Sequence, residues 1–335
     1  MITTSAETRR ELLMRKRQLG WTDLHLTTIG LGTWALGGGE WEWGWGPQDD
    51  RESIVTIRRA LDLGINWIDT AAVYGLGRSE EVIGKALRLI DERPIIATKC
   101  SLVWGEDRVV INSLKKKSVK EEVEASLKRL GVEIIDLYQI HWPNPEEEIE
   151  EGWGAIADLV KEGKIRYAGV SNFKIEQLKR IQPIHRVASL QPPYSMLRRG
   201  IEDETLAYCA EHDIGVIVYS PMQKGILTDK FSREWALSLP ESDHRARDSR
   251  FQEPMLSVNV EFVEGLREMA KEKGKTIAQL AIAWTLRLPE VTAAIVGARK
   301  PYQIEETVQA GEWELTEEEI ERIAELLDKR PDVIE

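Results

Sequence analysis

Two cysteines, Cys100 and Cys209, stand in a chain of 335 residues. That scarcity excludes a disulfide framework and a cysteine-rich zinc site. Long apolar runs are missing too. None approaches the ~20 residues that a membrane-crossing helix needs, and the N-terminus holds no apolar stretch of signal-peptide length. Basic charge is in deficit: 45 Lys and Arg face 57 Asp and Glu, a net charge of −12. A protein that grips phosphate backbones normally carries a basic face, so neither nucleic acid nor a membrane is expected as a partner. The default location is the cytoplasm. Hydrophobic residues make up 42% and charged residues 30%. That balance excludes a disordered chain and leaves material for a large core.

What is present is an alternation. Short continuous apolar runs suit strands buried on both faces of a parallel sheet. They occur at Thr28–Leu31, Asn66–Asp69, Ile95–Lys99, Ile135–Ile140, Arg166–Ser171, Ala188–Gln191, Gly215–Ser220 and Thr292–Val296. Amphipathic segments with start signals lie between them. Asp49 caps one expected helix. Ser118 with Glu121, Thr276 with Gln279, and Thr316 with Glu319 are spaced as capping boxes for three more. Eight strand–helix units predict a closed (β/α)8 TIM barrel with extra helices near the C-terminus. An open doubly wound sheet is the rival. The Gly37-Gly38-Gly39 cluster lacks the G-x-G-x-x-G spacing that such a sheet usually carries. Ahead of the first strand, Arg15–Leu19 and Leu24–Ile29 read as a β-hairpin that can plug the barrel floor. The expected organisation is a flexible extension over residues 1–14 and one barrel domain over residues 15–330. Residues 222–257 form a long charged loop, followed by helices expected at Val260–Lys273 and Thr276–Leu288.

Barrel enzymes carry their sites at the C-terminal ends of the strands. Here those ends deliver Asp69, Lys99, His141, Ser171 with Asn172, Gln191, Tyr219 with Ser220, and Gly297. Any one of these has an ordinary structural reading as a cap, a solvated charge or a satisfied core group. Asp, Lys and His on three successive strands, with Tyr74 five residues after Asp69, form a constellation with chemistry in it.

Several segments are also familiar. WIDTAAVYG (67–75) with the following GRSEEVIGKAL, ATK (97–99), DLYQIHWP (136–143), GVSNF (169–173), LQPPYS (190–195), YSPMQKGIL (219–227) and VGARKPYQIEE (296–306) occur in that order. Over nearly the whole chain the sequence resembles the aldo-keto reductase superfamily. It looks most like the bacterial branch that shares a GAR-type cofactor motif with beta-subunit-like members. The resemblance implies an NADPH-dependent oxidoreductase that reduces small uncharged aldehydes or ketones by hydride transfer. It implies a catalytic set of Asp69, Tyr74, Lys99 and His141, and NADP(H) in preference to NAD(H). It places the nicotinamide against Thr33, Trp34, Asp69, Ser171, Asn172, Gln191 and Tyr219. It places the pyrophosphate on Ser220, Pro221, Met222, Gly225, Leu227 and Lys230, and the adenosine end on Gly297, Arg299, Gln303 and Glu306. Trp34, Tyr74, His141 and Trp142 are the implied substrate contacts. Two positions depart from the pattern: Thr307 stands where Asn is frequent, and Asp229 where Gly is common.

The implied chemistry is physically coherent. Tyr74 supplies the proton, and a free phenol has a pKa near 10. A lysine ammonium ~4 Å away, at an effective dielectric of ~20, attracts the phenolate by about 4 kcal/mol before desolvation opposes it. Lys99 is therefore expected to lower the Tyr74 pKa, with Asp69 holding the lysine while its own negative charge reduces the net pull, and His141 orienting the carbonyl oxygen or sharing the proton. Arg299 suits a 2′-phosphate, because its guanidinium donates in a fork. Arg245, Arg247 and Arg250 are candidates to close over the phosphates. Twelve tryptophans, several of them near the strand ends, suggest an aromatic pocket; loop packing explains Trp41, Trp43 and Trp45 equally well. Two other classes stay open: a cofactor-binding regulatory protein with little turnover, and a barrel aldolase using Lys99 as a Schiff-base amine.

Overall fold

A computed structural model describes residues 14–39, 41–241 and 243–330. The expected extension therefore lies, apart from Met14, outside the described residues. The chain opens on an antiparallel hairpin of β1 (Lys16–Gln18) and β2 (His25–Thr27). Then follow β3 (Ile29–Gly32), α1 (Asp50–Asp62), β4 (Trp67–Asp69), α2 (Arg78–Leu87) and β5 (Ile95–Cys100). A second hairpin, β6 (Leu102–Trp104) with β7 (Val110–Asn112), precedes α3 (Lys116–Leu130). The chain continues through β8 (Ile135–Ile140), α4 (Ile149–Lys161), β9 (Ile165–Ser171), α5 (Ile175–Ile181), β10 (Ser189–Gln191) and α6 (Thr205–Glu211). Next come β11 (Gly215–Tyr219), α7 (Arg233–Leu237), α8 (Met255–Glu272), α9 (Ile277–Thr285), β12 (Val291–Gly297), α10 (Pro301–Thr307) and α11 (Glu317–Asp328).

Strands β3, β4, β5, β8, β9, β10, β11 and β12 pair in parallel in chain order, and β12 returns to β3, which closes the barrel. This is the (β/α)8 TIM barrel read from the sequence. The expected strands coincide with the observed ones to within a residue or two. The N-terminal hairpin is the floor plug. Its Leu19, Leu24 and Leu26 pack with Trp67, Leu137 and Ile217 from inside the barrel in one apolar cluster. Among the described residues no helix is long and apolar enough to cross a membrane.

Helix starts follow local chemistry in three of the four expected places. Asp49 Oδ1 accepts from the Arg51 and Glu52 N–H groups at 2.8 and 3.0 Å. Thr276 with Gln279, and Thr316 with Glu319, form reciprocal capping boxes, each cap contributing roughly 1 kcal/mol. The Ser118–Glu121 box does not form. Helix α3 begins three residues earlier, with Lys115 as its cap, because glutamates next door take backbone donors at and just before its start: Glu148 accepts from the Leu114 N–H and Glu151 from the Lys116 N–H. Ser118 thus sits inside the first turn and turns its hydroxyl to Glu122. The long loop after β11 is also more ordered than its composition suggests. It holds α7 and three 3-10 turns, and α8 starts at Met255 rather than Val260.

Candidate active site

The C-terminal strand ends open into a cavity of about 940 Å³. Of the implied catalytic, cofactor and substrate residues, all but two border it: Lys99 and Leu227 do not. The Leu227 side chain is wholly buried in the main core, which leaves its backbone to the loop. Lys99 lies one layer deeper.

Asp69 ends β4 and carries the central charge. Its Oδ1 accepts from Lys99 Nζ at 2.7 Å, and its Oδ2 accepts from Gln191 Nε2 at 2.8 Å. Lys99 also donates to the Thr70 carbonyl at 2.8 Å. Both charged side chains are almost fully buried, 0% and 4% exposed, so the pair is shielded from water and salt. Tyr74 comes from the tight turn after β4. Gly37 and Gly75 make that turn possible: a Cβ on Gly37 would lie 2.7 Å from the Tyr74 carbonyl carbon, and Gly75 has φ +64°. The Lys99 ammonium lies 5.3 Å from the centre of the Tyr74 ring. The His141 ring meets Tyr74 edge-on at 5.8 Å, and Trp34 stacks on its other side at 6.2 Å.

The electrostatics differ from the sequence expectation in one respect. Lys99 does not lower the Tyr74 pKa. Burial pushes the phenol well above its ordinary range, and the charge of Asp69 adds to that. Asp69 offsets part of the Lys99 charge, and desolvation outweighs what is left. Burial and the nearby Lys99 likewise push His141 well below the usual imidazole range. At neutral pH the cavity thus presents a protonated phenol and a neutral imidazole. Lys99 has given two N–H groups to Asp69 and Thr70 and does not itself border the cavity. It is not placed to condense with a carbonyl compound, which counts against the aldolase reading.

The next three strand ends are wired together. Tyr219 Oη donates to Asn172 Oδ1 at 2.8 Å, Asn172 Nδ2 donates to the His141 carbonyl at 3.0 Å, and Ser171 Oγ donates to the Gln191 carbonyl at 2.8 Å. After β11 the backbone turns sharply. Ser220, Gln223 and Lys224 have φ of +59°, +47° and +56°, strained for residues that bear side chains. Gln223 Nε2 is buried with no partner. Lys224, Arg245 and Arg250 border this stretch of the cavity. Arg245 is clasped by Asp243 and lies over the rings of Trp45 and Trp235. Arg250 and Lys224 both hold Asp248. Arg247 reaches the Glu42 carbonyl instead and does not border the cavity.

The tryptophan-rich segment, residues 41–48, has no regular structure, and side chains from distant segments fasten its carbonyls. Trp34 Nε1 donates to the Trp43 carbonyl, and His244 Nδ1 lies 3.2 Å from the Gly44 carbonyl. Arg299 donates to the carbonyls of Trp45 and Pro47 and to Gln48 Oε1, and Arg78 donates to the Gln48 carbonyl. Trp41, Trp43 and Trp45 are therefore cavity walls. Sequence reasoning missed the β6–β7 hairpin, whose Leu102, Val110 and Asn112 wall the cavity beside His141 and Trp142. Its apolar residues are too few to show a period.

The cavity is large and its polar groups are varied: Asp69, Tyr74 and His141, the cations Lys224, Arg245 and Arg250, and Arg299, Gln303 and Glu306 all line it. Gln303 Oε1 caps the start of α10 by accepting from the Arg299 and Lys300 N–H groups.

Comparison with known proteins identifies the family and the fold. A profile of the Aldo/keto reductase family matches residues 28–328. The aldo-keto reductase YhdN of Bacillus subtilis is 40% identical over 310 residues, 92% of either chain. The NADH-specific methylglyoxal reductase of Escherichia coli is 36% identical over 312 residues, 89% of this chain and 93% of its own length. Among solved structures, a glycerol dehydrogenase from Gluconobacter oxydans superposes with a TM-score of 0.87 at 37% identity, over 96% of this chain and 97% of that one.

Proposed function

This chain belongs to the aldo/keto reductase family, and from that premise we propose that it reduces small uncharged aldehydes or ketones to alcohols with NADP(H). The observation that carries the reading is the trio at the cavity floor: a protonated Tyr74, a neutral His141, and the buried Lys99–Asp69 pair behind the phenol. When bound, the nicotinamide supplies the hydride to the carbonyl carbon.

The chain's own groups handle the oxygen. His141 and Tyr74 orient the carbonyl by hydrogen bonding, and Tyr74 delivers its proton as charge builds on that oxygen. The Lys99 ammonium then faces the phenolate that remains, while Asp69 keeps the lysine charged and in place. Ser171, Asn172, Gln191 and Tyr219 would hold the nicotinamide, and Thr33 and Trp34 would flank it. Ser220, Pro221, Met222, Gly225, Lys230 and the Leu227 backbone would hold the pyrophosphate. Gly297, Arg299, Gln303 and Glu306 would hold the adenosine end. Trp34, Trp142 and the tryptophan loop exclude water from the reacting carbon.

The test is a paired titration with NADPH and NADH, read by quenching of tryptophan fluorescence. Cofactor oxidation follows with a panel of aldehydes that includes methylglyoxal, the substrate named for the E. coli relative. Binding with turnover is expected. A protein that binds neither cofactor defeats the reading, and binding without turnover on any carbonyl moves it to the regulatory class.

Arg299 decides the cofactor preference. An arginine has five N–H donors, and the tryptophan loop uses three here. The two left over can meet the 2′-phosphate that only NADPH carries. Arg299→Ala is expected to weaken NADPH by roughly tenfold or more, the cost of a lost charge-assisted hydrogen bond, and NADH far less. Equal weakening of the two would make Arg299 a tie for the loop alone.

Burial of His141 gives a pH prediction. A neutral form held well below the usual range stays neutral as pH falls from 8 to 6. The turnover number for reduction is expected to remain level there. A one-proton step near pH 6.5 that vanishes in His141→Asn would show that the ring does protonate.

A further inference from the structure

Ser101 follows Lys99 by two residues, is wholly buried, and has φ +88°, a backbone conformation that favours glycine. Each of its polar groups is spent on a different part of the fold. Its N–H donates to Glu122 Oε2 on α3 at 3.0 Å. Its hydroxyl sits against the Trp142 backbone, accepting from that N–H at 3.2 Å and lying 3.4 Å from that carbonyl. Its carbonyl accepts from the Ser113 N–H at 3.1 Å, closing the base of the β6–β7 hairpin. One residue earlier, the Cys100 carbonyl accepts from the His141 N–H at 3.0 Å. A left-handed serine persists only where its surroundings over-determine it. Here they do so at the junction of β5, β8 and the hairpin. Glycine would fit the same backbone without strain, so what the serine adds is its hydroxyl and the tie to Trp142.

We propose that Ser101 and Glu122 are positioning residues for carbonyl reduction: together they set the backbone of His141 and Trp142 and the base of the β6–β7 hairpin, and through these the placement of the imidazole and the apolar wall at the substrate. This rests on the reading of His141 as the group that orients the carbonyl. Glu122 is the anchor. It is buried, with Ser118 Oγ 3.3 Å from its Oε1, Arg129 further along the same helix, Glu80 on α2, and Cys100 and Tyr138 close by. Burial pushes its pKa up to about 8, so at neutral pH it is largely the uncharged acid. Glutamine reproduces that form. Its carbonyl can accept from the Ser101 N–H, and its amide can donate to Ser118. Alanine leaves the Ser101 N–H buried and unpaired.

Three variants test the proposal: Ser101→Gly, Glu122→Ala and Glu122→Gln. Ser101→Gly is expected to melt no lower than the wild type, because glycine relieves the strained backbone. Its turnover number should nevertheless fall on the order of tenfold and its KM for the carbonyl rise, with cofactor affinity unchanged. Amide hydrogen exchange should quicken at residues 102–112 and at Trp142 and stay as in the wild type elsewhere in the barrel. Glu122→Ala should act in the same direction, and Glu122→Gln should restore turnover and protection. Wild-type kinetics and exchange in Ser101→Gly, or equal damage in Glu122→Gln and Glu122→Ala, would overturn the proposal. The exchange measurement needs no substrate. A wild type that turns over no carbonyl would remove the reductase reading, while the exchange pattern still decides whether Ser101 and Glu122 hold this junction.

Discussion

Tyr74→Phe is expected to lower the turnover number for carbonyl reduction by about 10²–10⁴-fold, the usual contribution of a positioned general acid. It should leave the dissociation constant of the cofactor within a factor of about two. The substitution removes one oxygen and keeps the ring. That ring stacks on Trp34 and meets His141 and the Lys99 ammonium, so phenylalanine preserves the packing. The lost oxygen is the group that burial holds protonated far above the operating pH. Such an acid is intrinsically weak. It transfers its proton only as negative charge develops on the carbonyl oxygen, and only with a cation ready for the phenolate. A Tyr74→Phe variant that reduces carbonyls at the wild-type rate would remove Tyr74 as the acid and leave His141 as the candidate.

That burial raises the Tyr74 pKa marks the boundary of what the sequence discloses. The barrel and the strand ends are legible because strands buried on both faces read as unbroken apolar runs, and the polar residue closing or following a run borders the cavity at every such end but Lys99. Asp69, His141 and Gln191 follow from that rule alone. Three features do not follow from local sequence. The sign of the Tyr74 shift depends first on how completely the fold buries the phenol, and then on the charge of Asp69 beside it. The tryptophan loop takes its shape from donors at Trp34, Arg78, His244 and Arg299, none of them adjacent to it in the chain. The β6–β7 hairpin carries Val109 and Ile111 in the open, each 57% exposed, and three-residue strands show no periodicity. The start of α3 was misjudged for a similar reason: the glutamates that satisfy its first N–H groups come from Glu148 and Glu151, more than thirty residues on.

Lys99→Met carries the largest expected cost in stability. Removing one partner of a buried ion pair leaves the other charged and unpaired, and costs about 3–5 kcal/mol. Here the survivor is Asp69. It keeps its hydrogen bond from Gln191 and loses the ammonium at 2.7 Å. Methionine fills the volume, so the loss is electrostatic rather than a cavity. The double variant Asp69→Asn/Lys99→Met separates the two contributions. Asparagine still accepts from Gln191 but brings no charge, so the double variant should recover most of the lost stability, measured by the denaturant midpoint. Activity should not recover with it. At the 5.3 Å between Lys99 and the centre of the Tyr74 ring, and an effective dielectric of ~20, the gross attraction for a phenolate is about 3 kcal/mol; the Asp69 charge opposes part of it, so the loss in rate is expected to reach at most the order of a hundredfold. A variant that is stable again yet reduces carbonyls at about one hundredth of the wild-type rate would show that the buried pair serves the chemistry more than the fold. Two results would contradict this account. A single variant that loses less than about 1 kcal/mol would mean the pair is not ionised in the folded protein. A double variant with wild-type turnover would mean that the phenolate needs no cation behind it.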